Sequence, residues 1–102
     1  MENVTFKGLK QLYLYGNIIS DLSPLITDNL SKLEILNLGD NHISDISIFK
    51  NTKFRELKEL FLYGNHISDI EVLANLNFDG LEKLDLGRNI ISEMPKSSAK
   101  LQ

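Results

Sequence analysis

The chain repeats itself with a period of 24 residues, and this period constrains its fold more than any other feature. In every unit three leucines at fixed spacing precede an asparagine, and an isoleucine follows two residues after it. Four units, at about residues 6–29, 30–53, 54–77 and 78–101, succeed one another without insertion, and the last decays near its end. The recurring asparagines are Asn17, Asn41, Asn65 and Asn89, preceded by Leu9, Leu12 and Leu14, by Leu33, Leu36 and Leu38, by Leu57, Leu60 and Leu62, and by Leu81, Leu84 and Leu86.

The leucine spacing predicts one short β-strand in each unit. Leu12 and Leu14 are two residues apart and therefore point to one side of a strand, while Tyr13 and Tyr15 point to the other side. Successive units are related by translation, so their strands run parallel. The rest of each unit is long enough for the crossover that parallel strands require.

The crossovers are predicted to contain 3₁₀-like turns. Their apolar residues recur at every third position, as at Ile43, Ile46 and Phe49, which is the period of a 3₁₀ helix and not of a long α-helix. Pro24 suits the start of such a turn. Ser-Asp pairs, whose side chains can cap free backbone N–H groups, precede three of the turns: Ser20-Asp21, Ser44-Asp45 and Ser68-Asp69.

A single unit cannot bury its leucines, whereas stacked units share one continuous apolar interior. The sequence therefore predicts one domain, residues 1–102, that is a short curved solenoid of the α/β repeat class. In such a stack the asparagines form a column, and their amides can bond to backbone groups of their own unit and of the adjacent one. We interpret this column, Asn17, Asn41, Asn65 and Asn89, as a structural asparagine ladder.

The repeated motif LxxLxLxxNxI, seen as LKQLYLYGNII, LEILNLGDNHI, LKELFLYGNHI and LEKLDLGRNII, resembles the leucine-rich repeat family. The trailing ISDI is similar to the subclass found in regulatory subunits of protein phosphatase and in internalin-type bacterial surface proteins, although the units here are two residues longer than is usual there. The resemblance implies a right-handed solenoid with a short parallel β-sheet on the concave face and 3₁₀ or short helical turns on the convex face. It also implies a protein partner on the concave face.

The strand positions that face away from the leucines are the candidate binding surface. Aromatic side chains forced into solvent are frequent energetic centres of protein interfaces. The alternative is that aromatic residues simply suit β-strands and pack on their neighbours. The candidate partner-binding residues are Tyr13, Tyr15, Ile35, Phe61, Tyr63 and Asp85.

Composition excludes several classes of function. The net charge is −3, with 11 basic and 14 acidic residues, which argues against nucleic acid because that binding depends on lysine and arginine. The apolar stretches are too short to span a membrane, and the first residues lack the hydrophobic core of a signal peptide. No cysteine is present, so nothing indicates an oxidising compartment. We therefore predict a cytoplasmic protein, with secretion or the cell surface as the less favoured location.

No catalytic residue, metal site or cofactor is predicted. His42 and His66 occupy equivalent positions one unit apart, but Ile18 and Ile90 fill the same column on either side, so a third ligand is lacking. The repeated HISD resembles a hydrolytic trio only in composition. Its recurrence in two turns favours a structural role, since catalysis requires one asymmetric pocket.

A weaker period of 48 residues overlies the first. Units one and three share LYGN and a lysine after the first leucine, Lys10 and Lys58. Units two and four share LG-x-N and a glutamate there, Glu34 and Glu82. We interpret this alternation as duplication of a two-unit block, which would present a similar surface twice along the concave face and suit an elongated partner.

The sequence leaves three functions open. The first is a non-enzymatic module that binds a partner protein on its concave face. The second is a self-assembling structural segment, because no polar cap is evident before Phe6 and a homodimer through the uncapped first unit is predicted. The third is a regulatory fragment of a larger enzyme or effector.

Overall fold

The structure is a computed structural model that describes residues 8–25, 30–52, 54–76 and 80–92. Four parallel strands form one sheet in the order β1-β2-β3-β4. They are β1 (Gln11–Tyr13), β2 (Ile35–Asn37), β3 (Glu59–Phe61) and β4 (Lys83–Asp85). The start of the first unit at Phe6, for which no polar cap was evident, lies outside the described residues, as does the decaying end of the last unit.

The register of the sheet is the 24-residue period itself. Leu12 pairs with Leu36, Leu36 with Leu60 and Leu60 with Leu84. Equivalent residues of successive units therefore lie side by side, and each position of the repeat becomes a column across the sheet. The predicted parallel sheet is confirmed.

The crossovers contain the short helical turns expected from their three-residue apolar spacing. A 3₁₀ helix spans Ser23–Leu25, another spans Ser47–Asn51, and the third crossover forms a single α-helical turn, α1 (Glu71–Ala74). Each turn buries its apolar residue, Leu25, Phe49 or Leu73, against the sheet. The α/β repeat class is confirmed, with helical turns on one side of the core and the sheet on the other.

The strand leucines are completely buried only in the middle of the stack. The leucines that line β2 and β3 are between 0% and 2% exposed, among them Leu36, Leu38, Leu60 and Leu62. Their counterparts in the first and fourth units are only partly buried, because each has a neighbouring unit on one side alone within the described residues. These end-unit residues include Leu9, Leu12, Leu14, Leu81, Leu84 and Leu86.

Asparagine amides connect each unit to the one before it. The Asn41 Oδ1 accepts a bond from the Ile19 N–H at 3.0 Å, and its Nδ2 donates to the carbonyls of Leu14 and Leu38 at 3.0 Å and of Gly39 at 3.1 Å. Asn65 repeats these contacts one unit on. So does Asn89.

Asn17 differs from the other members of the ladder. Its Nδ2 donates to the carbonyls of Leu14 and Tyr15 within its own turn, and the residue is exposed. Among the described residues no earlier unit is present to meet its Oδ1. The ladder therefore links units only from Asn41 onward in the part of the chain that the structure shows, where no buried side-chain nitrogen or oxygen lacks a partner.

The residue before each ladder asparagine adopts a left-handed backbone conformation. Gly16 and Gly64 have φ of 73° and 68°, which glycine adopts without strain. Asp40 and Arg88 have φ of 52° and 53° in the same column, a less favourable conformation for residues with a Cβ. The turn that positions the amide therefore imposes this geometry in every unit.

The aspartate of each predicted Ser-Asp pair accepts a bond from the first N–H group of the helical turn that follows. The Asp21 Oδ1 accepts bonds from the Ser23 N–H at 2.9 Å and from its hydroxyl at 2.7 Å. Asp45 accepts from the Ser47 N–H at 2.9 Å. The Ser23 N–H and hydroxyl lower the pKa of Asp21 from its ordinary value of 3.8, and the Ser47 hydroxyl and N–H do the same for the pKa of Asp45.

We predict that Asn41→Ala and Asn65→Ala each lower the free energy of unfolding by about 1–3 kcal/mol, because each leaves buried backbone groups unpaired. Chemical denaturation measures the loss. Asn17→Ala is the matched control and should cost clearly less, since Asn17 bonds only within its own exposed turn. Equal stability of all three variants and the wild type would contradict the ladder.

We predict that acidification destabilises the chain partly through Asp21 and Asp45. Because folding lowers the pKa of both carboxylates, their stabilisation is complete above the ordinary value of 3.8 and is lost as the pH falls through the lower folded-state pKa. In the variant Asp21→Asn/Asp45→Asn the amide oxygen still accepts bonds but does not titrate. Its melting temperature should fall less steeply than that of the wild type below pH 3.8; parallel curves would refute the assignment.

Candidate protein-binding face

The candidate binding face is the side of the sheet opposite the core, the concave face of the solenoid. Side chains alternate along each strand, so residues flanking the buried central leucine point away from the core. The register places Tyr13, Asn37, Phe61 and Asp85 in one column across this face. A neighbouring column contains Gln11, Ile35, Glu59 and Lys83.

The N-terminal half of the face presents two accessible tyrosines. Tyr13 is 51% exposed and Tyr15 is 57% exposed. Ile35 lies beside Gln11 in the adjacent strand and is half-buried. This half of the face therefore offers aromatic surface to solvent at Tyr13 and Tyr15.

The aromatic residues of the C-terminal half are already in contact with other side chains. The rings of Phe61 and Tyr63 meet edge to face with centroids 6.3 Å apart. The Lys83 Nζ lies 5.8 Å from the Phe61 centroid, and the Arg88 Cζ lies 5.5 Å from the Tyr63 centroid. These cation–π contacts leave both rings half-buried. The five aromatic and aliphatic candidates therefore differ in accessibility, which the strand pattern alone does not reveal.

Tyr63 lies flat against the backbone of the preceding unit. A Cβ built on Gly39 would overlap the Tyr63 ring, so glycine at this position is what allows the ring to pack there. Arg88 lies over the Tyr63 ring. It also forms an ion pair with Asp40, with the Arg88 Nη2 3.0 Å from the Asp40 Oδ1. A Cβ on Gly64 would overlap the Asp40 carboxylate, which would then have to move.

Asp85 has a local structural contact as well as an exposed position. Its Oδ1 accepts a bond from the Gly87 N–H at 2.9 Å, just as the Asn37 Oδ1 accepts one from the Gly39 N–H at 3.0 Å. The sequence signal for this turn is an Asn or Asp two residues before glycine at the end of the strand, seen in units two and four. The Asp85 carboxylate thus adds negative charge to the face from a fixed position.

Two exposed isoleucines were not among the sequence candidates. Ile18 is 80% exposed and Ile90 is 62% exposed, and both follow a ladder asparagine directly. His42 and His66 occupy the same column between them, with ring centroids 5.9 Å apart. The signal available in the sequence was the isoleucine at a position that is polar in the two middle units. Arg88 was also missed, because the residues that it contacts, Tyr63 and Asp40, belong to other units of the repeat.

The described residues contain no group of three or more histidine, aspartate or glutamate side chains arranged to hold a metal ion. A shallow cavity of about 210 Å³ lies between the second and third crossovers, lined in part by Asp45 and Asp69. Both carboxylates accept backbone bonds from the turns that follow them, at 2.9 and 3.0 Å. None of the helices in the described part of the chain is both long and apolar enough to cross a membrane.

A parallel strand and a ladder asparagine in each of the four units, with a short helical turn after each of the first three strands and a varied exposed face, define a leucine-rich repeat solenoid. The family model for leucine-rich repeats in two copies matches residues 7–51 and 55–98. The chain belongs to the leucine-rich repeat family. No protein with a curated description matches the chain.

Two similar solved structures are internalins of Listeria monocytogenes. Internalin C2 is 35% identical, with a TM-score of 0.74, and the match covers 92% of this chain and 38% of that one. The internalin InlF is 32% identical, with a TM-score of 0.54, and the match covers 92% of this chain and 33% of that one. The match therefore spans between 33% and 38% of the length of these internalins. The resemblance to the phosphatase-subunit subclass stays a prediction.

We predict that Gly39→Ala displaces the Tyr63 ring from the preceding unit. The loss of its packing should lower the free energy of unfolding by about 0.5–1.5 kcal/mol and shift the Tyr63 ring resonances in NMR spectra. Gly87→Ala is the control, since a Cβ there meets only the Asp85 Oδ1, at 3.1 Å. Unchanged Tyr63 resonances in the Gly39 variant would show that the ring does not rest on Gly39.

Proposed function

We propose that the chain is a non-enzymatic module that binds a partner protein on its concave face, with the contact centred on Tyr13 and Tyr15. Leucine-rich repeats and the internalin-like neighbours support a protein-interaction module in general. The single observation that supports this particular surface is the exposure of these two tyrosines, 51% and 57%, beside strands whose other aromatic rings are covered.

The covered rings have a different part in the proposal. Lys83 lies over the Phe61 ring and Arg88 lies over the Tyr63 ring. In the proposal these two rings are therefore a fixed part of the surface, and a partner does not insert against them. Rigid surroundings favour binding because little side-chain freedom is lost on association. A partner would therefore insert apolar side chains against Tyr13 and Tyr15. Further along the sheet it would contact the charged side chains of Lys83 and Arg88.

The charges of the face define the chemistry of the far contact. Asp85 is exposed and its carboxylate is fixed by the Gly87 N–H, while the Lys83 and Arg88 cations lie over aromatic rings. A partner with charged groups of both signs opposite this half of the face would be complementary. Such rim charges affect specificity and association rate more than affinity.

Other features of the proposal rest on the sequence. The single-domain organisation over residues 1–102 and the cytoplasmic location stay predictions. A regulatory fragment of a larger enzyme or effector is compatible with the same binding face, since the chain matches only 38% and 33% of the two internalins. A self-assembling role concerns the ends of the sheet instead.

We predict that Tyr13→Ala weakens partner binding by about 10- to 100-fold, the effect of removing an interface anchor. Partners captured from a lysate of the source organism by the wild type are identified, and the affinity of the purified pair is measured by titration calorimetry. The measurement is made at chain concentrations low enough for the chain to be monomeric.

Lys50→Ala serves as the control, because Lys50 is exposed on the 3₁₀ helix Ser47–Asn51 on the opposite side of the core. The Lys50 variant should bind as the wild type does, and Phe61→Ala should have a smaller effect than Tyr13→Ala. A partner that tolerates Tyr13→Ala but not Lys50→Ala would place the interface on the convex side.

A further inference from the structure

We propose that His42 and His66 together bind one divalent transition-metal ion, Zn²⁺, Ni²⁺ or Cu²⁺, between the second and third units of the solenoid. The inference goes beyond the proposed function, because both histidines lie outside the strands and no partner protein is involved. It rests on the separation of the two rings, on the backbone that positions them and on the distribution of histidine among the units.

The two imidazole rings are close enough to share one ion. Their centroids lie 5.9 Å apart, and their planes are inclined by 52°. Two nitrogens bound to one tetrahedral Zn²⁺, each at about 2.0–2.1 Å, lie about 3.4 Å from each other. Because the nitrogens are on the perimeter of the rings, rotation of the two exposed side chains can bring one nitrogen of each ring to that separation.

Hydrogen bonds fix the backbone at both histidines. The His42 N–H donates to the Ile19 carbonyl at 2.9 Å, and the His66 N–H donates to the Ile43 carbonyl at 2.8 Å. The N–H of the residue after each histidine donates to the Oδ1 of the next ladder asparagine, at 3.0 Å in both cases. The stacking of the units therefore sets the distance between the two ligands, and no backbone freedom needs to be lost when an ion binds.

The imidazoles themselves are accessible to an ion. Both histidines are exposed, although the residues directly before and after each of them are buried. Within the described residues neither ring takes part in an ion pair or a side-chain hydrogen bond, so the ring nitrogens have no protein partner there to give up. Imidazole suits Zn²⁺, Ni²⁺ and Cu²⁺, whereas Mg²⁺ and Ca²⁺ prefer oxygen ligands.

The distribution of histidine departs from the 48-residue alternation. That alternation relates His42 to position 90 and His66 to position 18, but both of these positions are isoleucine. The chain has two histidines, and they occupy the same column in adjacent units, one in each block of two units. Duplication of a block therefore does not account for the pair, whereas a site that needs two adjacent imidazoles does.

Two protein ligands define an open site. Closed structural zinc sites have four protein ligands and catalytic ones have three. The described residues contain no group of three or more histidine, aspartate or glutamate side chains that could hold an ion, so water would complete the coordination. The lack of a third ligand, which argued against a metal site in the sequence, therefore limits the affinity. Among the three ions, Cu²⁺ should bind most tightly.

An ion bound here would connect the second unit to the third. His42 and His66 are 24 residues apart in the chain, and the stacking of the two units brings them together. The ion should therefore bind the folded chain in preference to the unfolded chain. Such binding stabilises the folded chain by an amount that grows with the concentration of the ion.

Isothermal titration calorimetry of the chain without a histidine tag tests the proposal, with Zn²⁺ and Ni²⁺ as probes and Mg²⁺ as the comparison ion. The wild type should bind one Zn²⁺ per chain, its melting temperature should rise with Zn²⁺ concentration, and the NMR ring resonances of His42 and His66 should shift together. Mg²⁺ should have none of these effects.

His42→Ile and His66→Ile should each weaken Zn²⁺ binding at least about tenfold, because each removes one of the two ligands. Isoleucine already occupies this column at Ile18 and Ile90, so both variants should fold. Circular dichroism melts without metal establish that they do.

Two double variants separate the adjacency of the histidines from their number. Ile90→His combined with His42→Ile keeps two histidines in adjacent units and should bind Zn²⁺ as the wild type does. Ile18→His combined with His42→Ile also keeps two histidines but places them two units apart. It should bind no better than the single variants.

Three results would overturn the proposal. The first is a wild-type chain that binds no Zn²⁺ up to about 1 mM. The second is wild-type affinity in the single variants, which would assign the ion to carboxylates. The third is wild-type affinity in the variant Ile18→His/His42→Ile, which would show that adjacency has no role. Since no other protein is present in the assay, these outcomes are separate from failure of the concave-face proposal.

Discussion

The side-chain amide of the ladder asparagine is the interaction on which the rest of the structure depends. A chain that turns sharply at the end of each buried strand leaves carbonyl and N–H groups inside the stack, where unpaired polar groups are costly. Asn41 satisfies four of them, two in its own unit and two in the unit before. Because one amide must reach both units, the turn of each unit has to lie directly against the turn of the unit before it.

A fixed period converts sequence positions into columns and separates structural from functional residues. Leucine columns face the core and tolerate little change, since the middle units bury them completely. The columns on the concave face carry no such constraint and differ from unit to unit, as from Tyr13 to Asn37 to Phe61 to Asp85. Variation between units is therefore concentrated at the positions that the amide ladder and the leucine core leave free.

Much of the fold could be predicted because the strands pair residues that are one repeat period, 24 residues, apart. Strand order, pairing and the face of Tyr13 or Ile35 follow from positions modulo 24. Accessibility does not, because it depends on contacts between columns: Lys83 covers Phe61, Arg88 covers Tyr63, and Gly39 admits the Tyr63 ring. A repeat pattern compares equivalent positions and does not reveal contacts between different positions of neighbouring units. For the same reason, the pattern predicted an aromatic face but not that its most exposed rings are those of Tyr13 and Tyr15.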